Sequence, residues 1–330
     1  IFRALLKNSL NKRKQYQYFK KYNTHKLKSI HVERPIFVTG LPRSGTTLLQ
    51  NLLINNFHIQ GIPFWEIIQP IPQFQNKTID NSFRRIKSGM MLYMAKRFGP
   101  DIFPMHPTTL NSYEECWHLF LITFHVYNFD FQLGISKYGE WISENSIGKA
   151  YEEYEEILRI IISTRKDHRL ILKCPEHMIY TDKIMSTFPN CTIIWIHRDP
   201  LKSILSYTNM IYEIHKFYFG ASDRKRVAKF VSDRFYQMIK IAIQKRTESN
   251  INIIDVKYQD LIINQRKTLQ YLSDNILDDS SSIQISKENQ NLNRLKSKIY
   301  YNPTQQGIDP NTIYHKFSDY MKQYDISKEI

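Results

Sequence analysis

Eight residues, Gly40-Leu41-Pro42-Arg43-Ser44-Gly45-Thr46-Thr47, have the glycine spacing of a loop that wraps a phosphate-like anion. The segment Pro35–Thr39 before it reads as a short buried strand, and Thr47–Leu53 after it as the start of a helix. Strand, tight turn and helix N-terminus together make an anion site, because first-turn N–H groups point at the ligand. Thr46 stands where a nucleoside-triphosphate loop carries lysine, which counts against ATP–magnesium chemistry. Arg43 offers a planar fork suited to an oxyanion instead. Arg43, Ser44, Gly45, Thr46 and Thr47 are thus the candidate anion-binding residues.

A second constellation begins where the apolar run Cys191–Ile196 ends, at His197-Arg198-Asp199-Pro200-Leu201-Lys202-Ser203-Ile204-Leu205-Ser206. Asp199 fits an N-cap and Pro200 the first helical position, so Arg198 and Ser206 can face one anion near the strand end. Lys173 closes another apolar strand, Leu170–Lys173. A lysine there calls for an anionic partner. Ligands in parallel sheets bind beyond the carboxyl ends of the strands, so Arg43, Lys173 and Arg198 are expected to converge.

The two loops resemble the paired signatures of sulfotransferases that use 3′-phosphoadenosine 5′-phosphosulfate (PAPS). Trp65-Glu66-Ile67-Ile68-Gln69-Pro70, Tyr113-Glu114-Glu115-Cys116, Leu172-Lys173-Cys174-Pro175-Glu176-His177-Met178 and Tyr314–Tyr320 resemble further segments of its broad bacterial-type branch, related to the tyrosylprotein enzymes. The match runs in order from about residue 33 to 320. The resemblance implies that the first loop holds the 5′-phosphosulfate and that Arg198 and Ser206 hold the 3′-phosphate. It implies transfer of a sulfuryl group to a hydroxyl or amine, with PAP as product and no metal. Arg43 and Lys173 would stabilise the leaving group. Glu66 matches the acidic base of the tyrosylprotein branch; His177, His106, Glu115 and His315 are the other candidates. Two other readings stay open: a catalytically silent sulfotransferase-like subunit of a larger assembly, and a P-loop kinase.

The elements that must position these residues alternate. Strands are expected at 35–39, 170–173, 191–196 and 251–256. Helices are expected from Thr47, over 177–188, from Pro200, over 223–247 and over 260–271, with a polar loop at 278–282. This pattern reads as α/β: a P-loop NTPase-like parallel sheet flanked by helices. Residues 60–168 lack strand signal. They read as a helical insertion with helices at 83–98, 113–128 and 151–165, the third opening on Glu152, Glu153, Glu155 and Glu156 to suit its dipole. One domain, residues 31–330, follows a basic arm, residues 1–30.

The chain has 330 residues and a net charge of +15, and the arm holds nine Lys or Arg with no Asp or Glu. That arm could meet a membrane surface or protein partner, and is expected to be dispensable for chemistry. No nucleic-acid motif is present. Three scattered cysteines, Cys116, Cys174 and Cys191, form neither a disulfide framework nor a metal site. No apolar run is long enough to span a bilayer. A cytoplasmic location is expected; a start at Ile1 leaves mitochondrial or Golgi lumenal placement open. The acceptor, whether small molecule, carbohydrate, lipid or peptide, has no motif of its own.

Overall fold

Four short runs rich in isoleucine and valine pair into one parallel sheet. They are β1 (Ile36–Thr39), β2 (Ile171–Lys173), β3 (Thr192–His197) and β4 (Ile253–Lys257), ordered β2-β1-β3-β4. The register sets Phe37 against Leu172 and Ile193, and Ile194 against Ile254. The computed structural model describes residues 2–57, 59–144, 147–165, 169–249, 251–277 and 301–329. The polar loop expected at 278–282 lies outside the described residues.

Parallel strands need long crossovers. Helix α2 (Thr46–Asn56) leaves β1 and begins the excursion to β2. It continues through α3 (Phe64–Ile68), α4 (Lys77–Phe98), α5 (Trp117–Phe120), α6 (Asn128–Leu133), α7 (Ser136–Glu144) and α8 (Gly148–Ile162). After β2 come a 3₁₀ turn (Pro175–Tyr180) and α9 (Thr181–Thr187). After β3 come α10 (Pro200–Phe219) and α11 (Arg224–Ser249), and after β4, α12 (Tyr258–Ile263) and α13 (Gln265–Ile276). Both sheet faces are covered, as parallel sheets require. Alternate residues point to opposite faces. Phe37, Leu172, Ile193 and Trp195 join the larger core with α8 and α11. Ile36, Val38, Ile171 and Ile194 face Leu49, Leu52 and Leu53 of α2 and Leu269 and Leu272 of α13. Truncating any of these fully buried side chains to alanine costs about 2–5 kcal/mol.

The helical region differs from expectation in three places. The helix expected from Phe83 starts at Lys77, because the Asn76 side chain accepts hydrogen bonds from the Thr78 and Ile79 N–H groups. The helix expected over 113–128 is broken: Phe124 adopts φ 60°, a left-handed conformation that no helix interior accommodates. The glutamate run of α8 lies beyond its first turn, which contains no acidic residue. Two of those carboxylates, Glu153 and Glu156, serve tertiary contacts instead, while Glu155 pairs with Arg159 within α8. Residues 2–28 form helix α1 (Phe2–Lys28), kinked at Asn23, whose φ is −125°, and it packs on α8. Arg13 binds both Glu153 oxygens at 2.6 Å, and Lys20 and the buried Tyr16 bind Glu156. The basic arm thus lies beside the core, with at least two of its cations neutralised there.

Candidate active site

The loop from Gly40 to Gly45 is tight by construction. Gly40 has φ 149° and Gly45 φ 102°. A Cβ at Gly40 would lie 2.5 Å from the Ile196 carbonyl oxygen, and one at Gly45 2.5 Å from the Tyr258 ring. Arg43 itself sits at φ 69°, a strained position that persists only when its surroundings hold it. Two contacts do so. The Arg43 Nε donates to Ser206 Oγ at 3.1 Å, and Arg198 Nη1 donates to the Arg43 carbonyl at 2.9 Å. Among the described residues Ser44 Oγ is buried with no hydrogen-bond partner, and no side chain caps α2. Its first-turn N–H groups therefore lack intrahelical acceptors, and the loop presents several donors to an anion.

Asp199 caps α10 through the Leu201 N–H at 2.8 Å and Pro200 follows at the first position, which fixes where Arg198 leaves β3. The Arg198 guanidinium lies 4.0 Å from the Tyr258 ring centroid. It also pairs with Glu329 near the chain's end, Nε to Oε1 at 2.8 Å and Nη2 to Oε2 at 2.7 Å. The Glu329 N–H donates to Asp199 Oδ2 at 2.8 Å. An anion bound by Arg198 in this arrangement is thus the protein's own carboxylate.

Lys173 is fully buried at the end of β2. Its ammonium donates to Thr47 Oγ1 at 3.1 Å and lies 3.4 Å from Glu115 Oε1. It is thereby tied to the first residues of α2, on the same side as the loop. A cavity of about 990 Å³ opens there. Arg43, Gly45, Thr46, Thr47, Arg198 and Ser206 line its polar end. Three carboxylates, Glu114, Glu115 and Glu176, and two imidazoles, His106 and His118, stand on the wall beside them. Burial pushes the Glu114 carboxyl up. Its hydrogen bond with His106, at 3.0 Å, and the nearby Lys173 and His118 more than offset that and hold it at about 2. Burial dominates at Glu176 and pushes it to about 8, although the Asn128 N–H donates to it at 2.5 Å.

Two residues expected at the chemistry stand elsewhere. Glu66 is buried, is absent from the cavity wall and pairs with Arg165. His177 is fully buried among Phe37, Phe120 and Tyr154. Its Nδ1 bonds the Tyr151 hydroxyl at 2.8 Å, and burial lowers it to about 3, so it is neutral at ordinary pH. The side chain of Cys174, two residues before Glu176, is buried in the same core. His315 is exposed on a helix outside the cavity wall. Glu176 was not among the expected site residues. The turn after β2 carries Glu176, and not its neighbour His177, to the wall. Among the described residues no group of three or more His, Cys, Asp or Glu is placed to hold a metal ion. No helix among them is long and apolar enough to cross a membrane.

The sequence profile of the Sulfotransferase family matches residues 35–294. The structure is similar to the crystal structure of sulfotransferase STF9 from Mycobacterium avium, with a TM-score of 0.78 at 19% identity over 98% of this chain and 85% of that one. It is also similar to sulfotransferase STF1 from Mycobacterium tuberculosis H37Rv, with a TM-score of 0.76 at 22% identity over 96% of this chain and 85% of that one. At these identities the likeness establishes the fold. No curated protein sequence matches the chain significantly.

Proposed function

The chain belongs to the sulfotransferase family, and from that premise we propose that it moves a sulfuryl group from PAPS to a hydroxyl or amine acceptor. One observation carries the reading. Arg43, Arg198 and Ser206, carried from two strand ends, line the polar end of one cavity, and Lys173, from a third, is tied to the wall residues Thr47 and Glu115 behind it. These donors fit a nucleotide with two phosphate groups. The loop N–H groups, Ser44 and Thr47 would hold the 5′-phosphosulfate. Arg198 and Ser206 would hold the 3′-phosphate, with the adenine end toward Tyr258.

Sulfuryl transfer asks a protein mainly for positioning and for cations where charge grows. Lys173 and Arg43 would take up negative charge on the departing bridging oxygen. Lys173 is held by Thr47 and Glu115, so it needs little reorganisation to do so. Glu115 is the carboxylate nearest to that lysine and stands on the cavity wall. We assign it the acceptor's proton, in place of Glu66, whose carboxylate is held by Arg165. The segment 60–168, inserted between β1 and β2, supplies most of the remaining wall and would select the acceptor.

Calorimetry with PAP in EDTA tests the reading. Binding is expected without magnesium. Absence of PAP binding, together with magnesium-dependent ATP binding, overturns it in favour of a kinase. PAP binding without sulfuryl transfer across a broad acceptor screen with labelled PAPS would instead mark a silent subunit.

A further inference from the structure

Helix α4 is built inside out. A helix on a globular protein turns its apolar stripe inward. Here the inward stripe is polar over its first three turns, at Asp80, Arg84 and Ser88, and turns apolar only at Leu92. Asp80 and Arg84 pair at 2.7 Å while almost fully buried. Arg84 Nη1 donates to the Gln69 carbonyl at 3.0 Å, and its guanidinium lies 4.9 Å from the Trp65 ring centroid. Ser88 Oγ donates to the Trp65 carbonyl at 3.0 Å. These bonds anchor the helix to the α3 segment through its polar side.

The outward stripe is apolar. Ile79, Phe83, Ile86, Met90, Tyr93 and Met94 are 41–69% exposed. At the turn of an α-helix these six fall within an arc of about 100° that no charged side chain interrupts before Arg97. Phe74, itself exposed, packs edge-on against Phe83 at 5.2 Å and widens the patch. Contiguous exposed apolar surface of this kind marks an interaction site.

Charge decides what it meets. With Asp80 satisfied by Arg84, α4 has five further cations, Lys77, Arg85, Lys87, Lys96 and Arg97, and no further acid. The Lys12 ammonium of α1, lowered chiefly by burial, is lowered further by Lys87, so the basic N-terminal helix approaches α4 at that point. An apolar face bordered by lysine and arginine is the pattern of a helix lying in a lipid–water interface. Near an anionic leaflet each such cation multiplies binding about fivefold. Met90 and Met94, at the C-terminal end of the stripe, also line the cavity, so the patch and the cavity mouth are continuous.

We propose that α4 is a bilayer-docking face: its exposed apolar stripe seats in an anionic lipid surface, with the cavity opening onto that surface. The seat itself does not depend on the sulfuryl-transfer reading. What it would deliver does: an acceptor with a lipid-like apolar body and a hydroxyl or amine head would enter between Met90 and Met94.

The full chain is sedimented with phosphatidylcholine vesicles with and without phosphatidylserine, beside the double variant Ile86→Glu/Tyr93→Glu. Neither residue lines the cavity. The wild type is expected to pellet with the phosphatidylserine vesicles and far less with phosphatidylcholine alone. The variant is expected to lose binding at least about tenfold. PAP affinity, measured in parallel, is expected to match in both proteins, which separates failure of docking from failure of the cofactor assignment and reports that the variant is folded. A wild type left in the supernatant overturns the proposal, as does a variant that pellets equally well. So does light scattering in which the substitutions turn a dimer into a monomer without vesicle binding, which would assign the face to a second copy.

Discussion

If Arg198 receives the 3′-phosphate, Glu329 is its competitor, and removing that carboxylate should tighten nucleotide binding. The geometry sets the size of the effect. The pair is bidentate at 2.7 and 2.8 Å, and its side chains are 21% and 18% exposed. Hydrogen bonds to charged groups are worth about 1.5–3 kcal/mol, and fully exposed pairs about 0–1. A pair one-fifth exposed belongs between these ranges, near 1.5 kcal/mol, which is about tenfold in affinity. Glu329→Ala should therefore bind PAP about tenfold more tightly than the wild type. The backbone bond from the Glu329 N–H to Asp199 survives that substitution, so the segment keeps an anchor. Adenosine 5′-phosphosulfate, which lacks the 3′-phosphate, leaves Arg198 to Glu329 and should bind both proteins alike. The gain should shrink as salt is added, because part of the pair's attraction is screened. Calorimetric titration of both ligands at two salt concentrations decides it. An unchanged PAP affinity, or an equal gain for both ligands, would refute the idea that Glu329 and the 3′-phosphate share Arg198.

Glu115→Gln should cut turnover about a hundred-fold or more with PAP affinity nearly unchanged, whereas Glu66→Gln should lower thermal stability by unpairing Arg165; the reverse pattern in steady-state kinetics and thermal melts would return the base to Glu66. Glu176 has a raised pKa, about 8, against a lower unfolded value, so its contribution to stability is intact at acid pH and lost as pH rises toward and through about 8. Glu176→Gln should accordingly raise Tm at pH 9 far more than at pH 5, and a difference independent of pH would contradict the assignment. Glu153→Ala leaves Arg13, part-buried on α1, without its bidentate partner, and chemical denaturation should register a loss of about 1–3 kcal/mol. Deleting residues 1–30 should cost more, because it also exposes the α8 surface that Tyr16 covers; a deletion variant with unchanged stability would mean that α1 contributes nothing to the core.

Much of this protein is written locally in the chain. The Gly40–Thr47 loop is legible because its glycines, preceding strand and following helix are contiguous, and the demands of a tight turn act over a few residues. The α/β alternation is legible for the same reason, and so is the convergence of Arg43, Lys173 and Arg198, since parallel strands carry their carboxyl ends to one side. Tertiary structure alone decided the rest. Glu66 and Arg165 are 99 positions apart, and no local pattern says that this carboxylate is already taken. His177 and Glu176 are neighbours, yet the 3₁₀ turn after β2 buries one in an aromatic core and brings the other to the cavity wall. Glu329 meets Arg198 across 131 positions. In α4 the amphipathic pattern is plain in the sequence, but which side faces inward is not, because periodicity defines two faces and only the partners, here Gln69 and Trp65, choose between them. Burial and charge pairing depend on what arrives from distant parts of the chain, and so the strand-end placement of Arg43, Lys173 and Arg198 could be read from the sequence while the pairing of Glu66 and Glu329 and the burial of His177 could not.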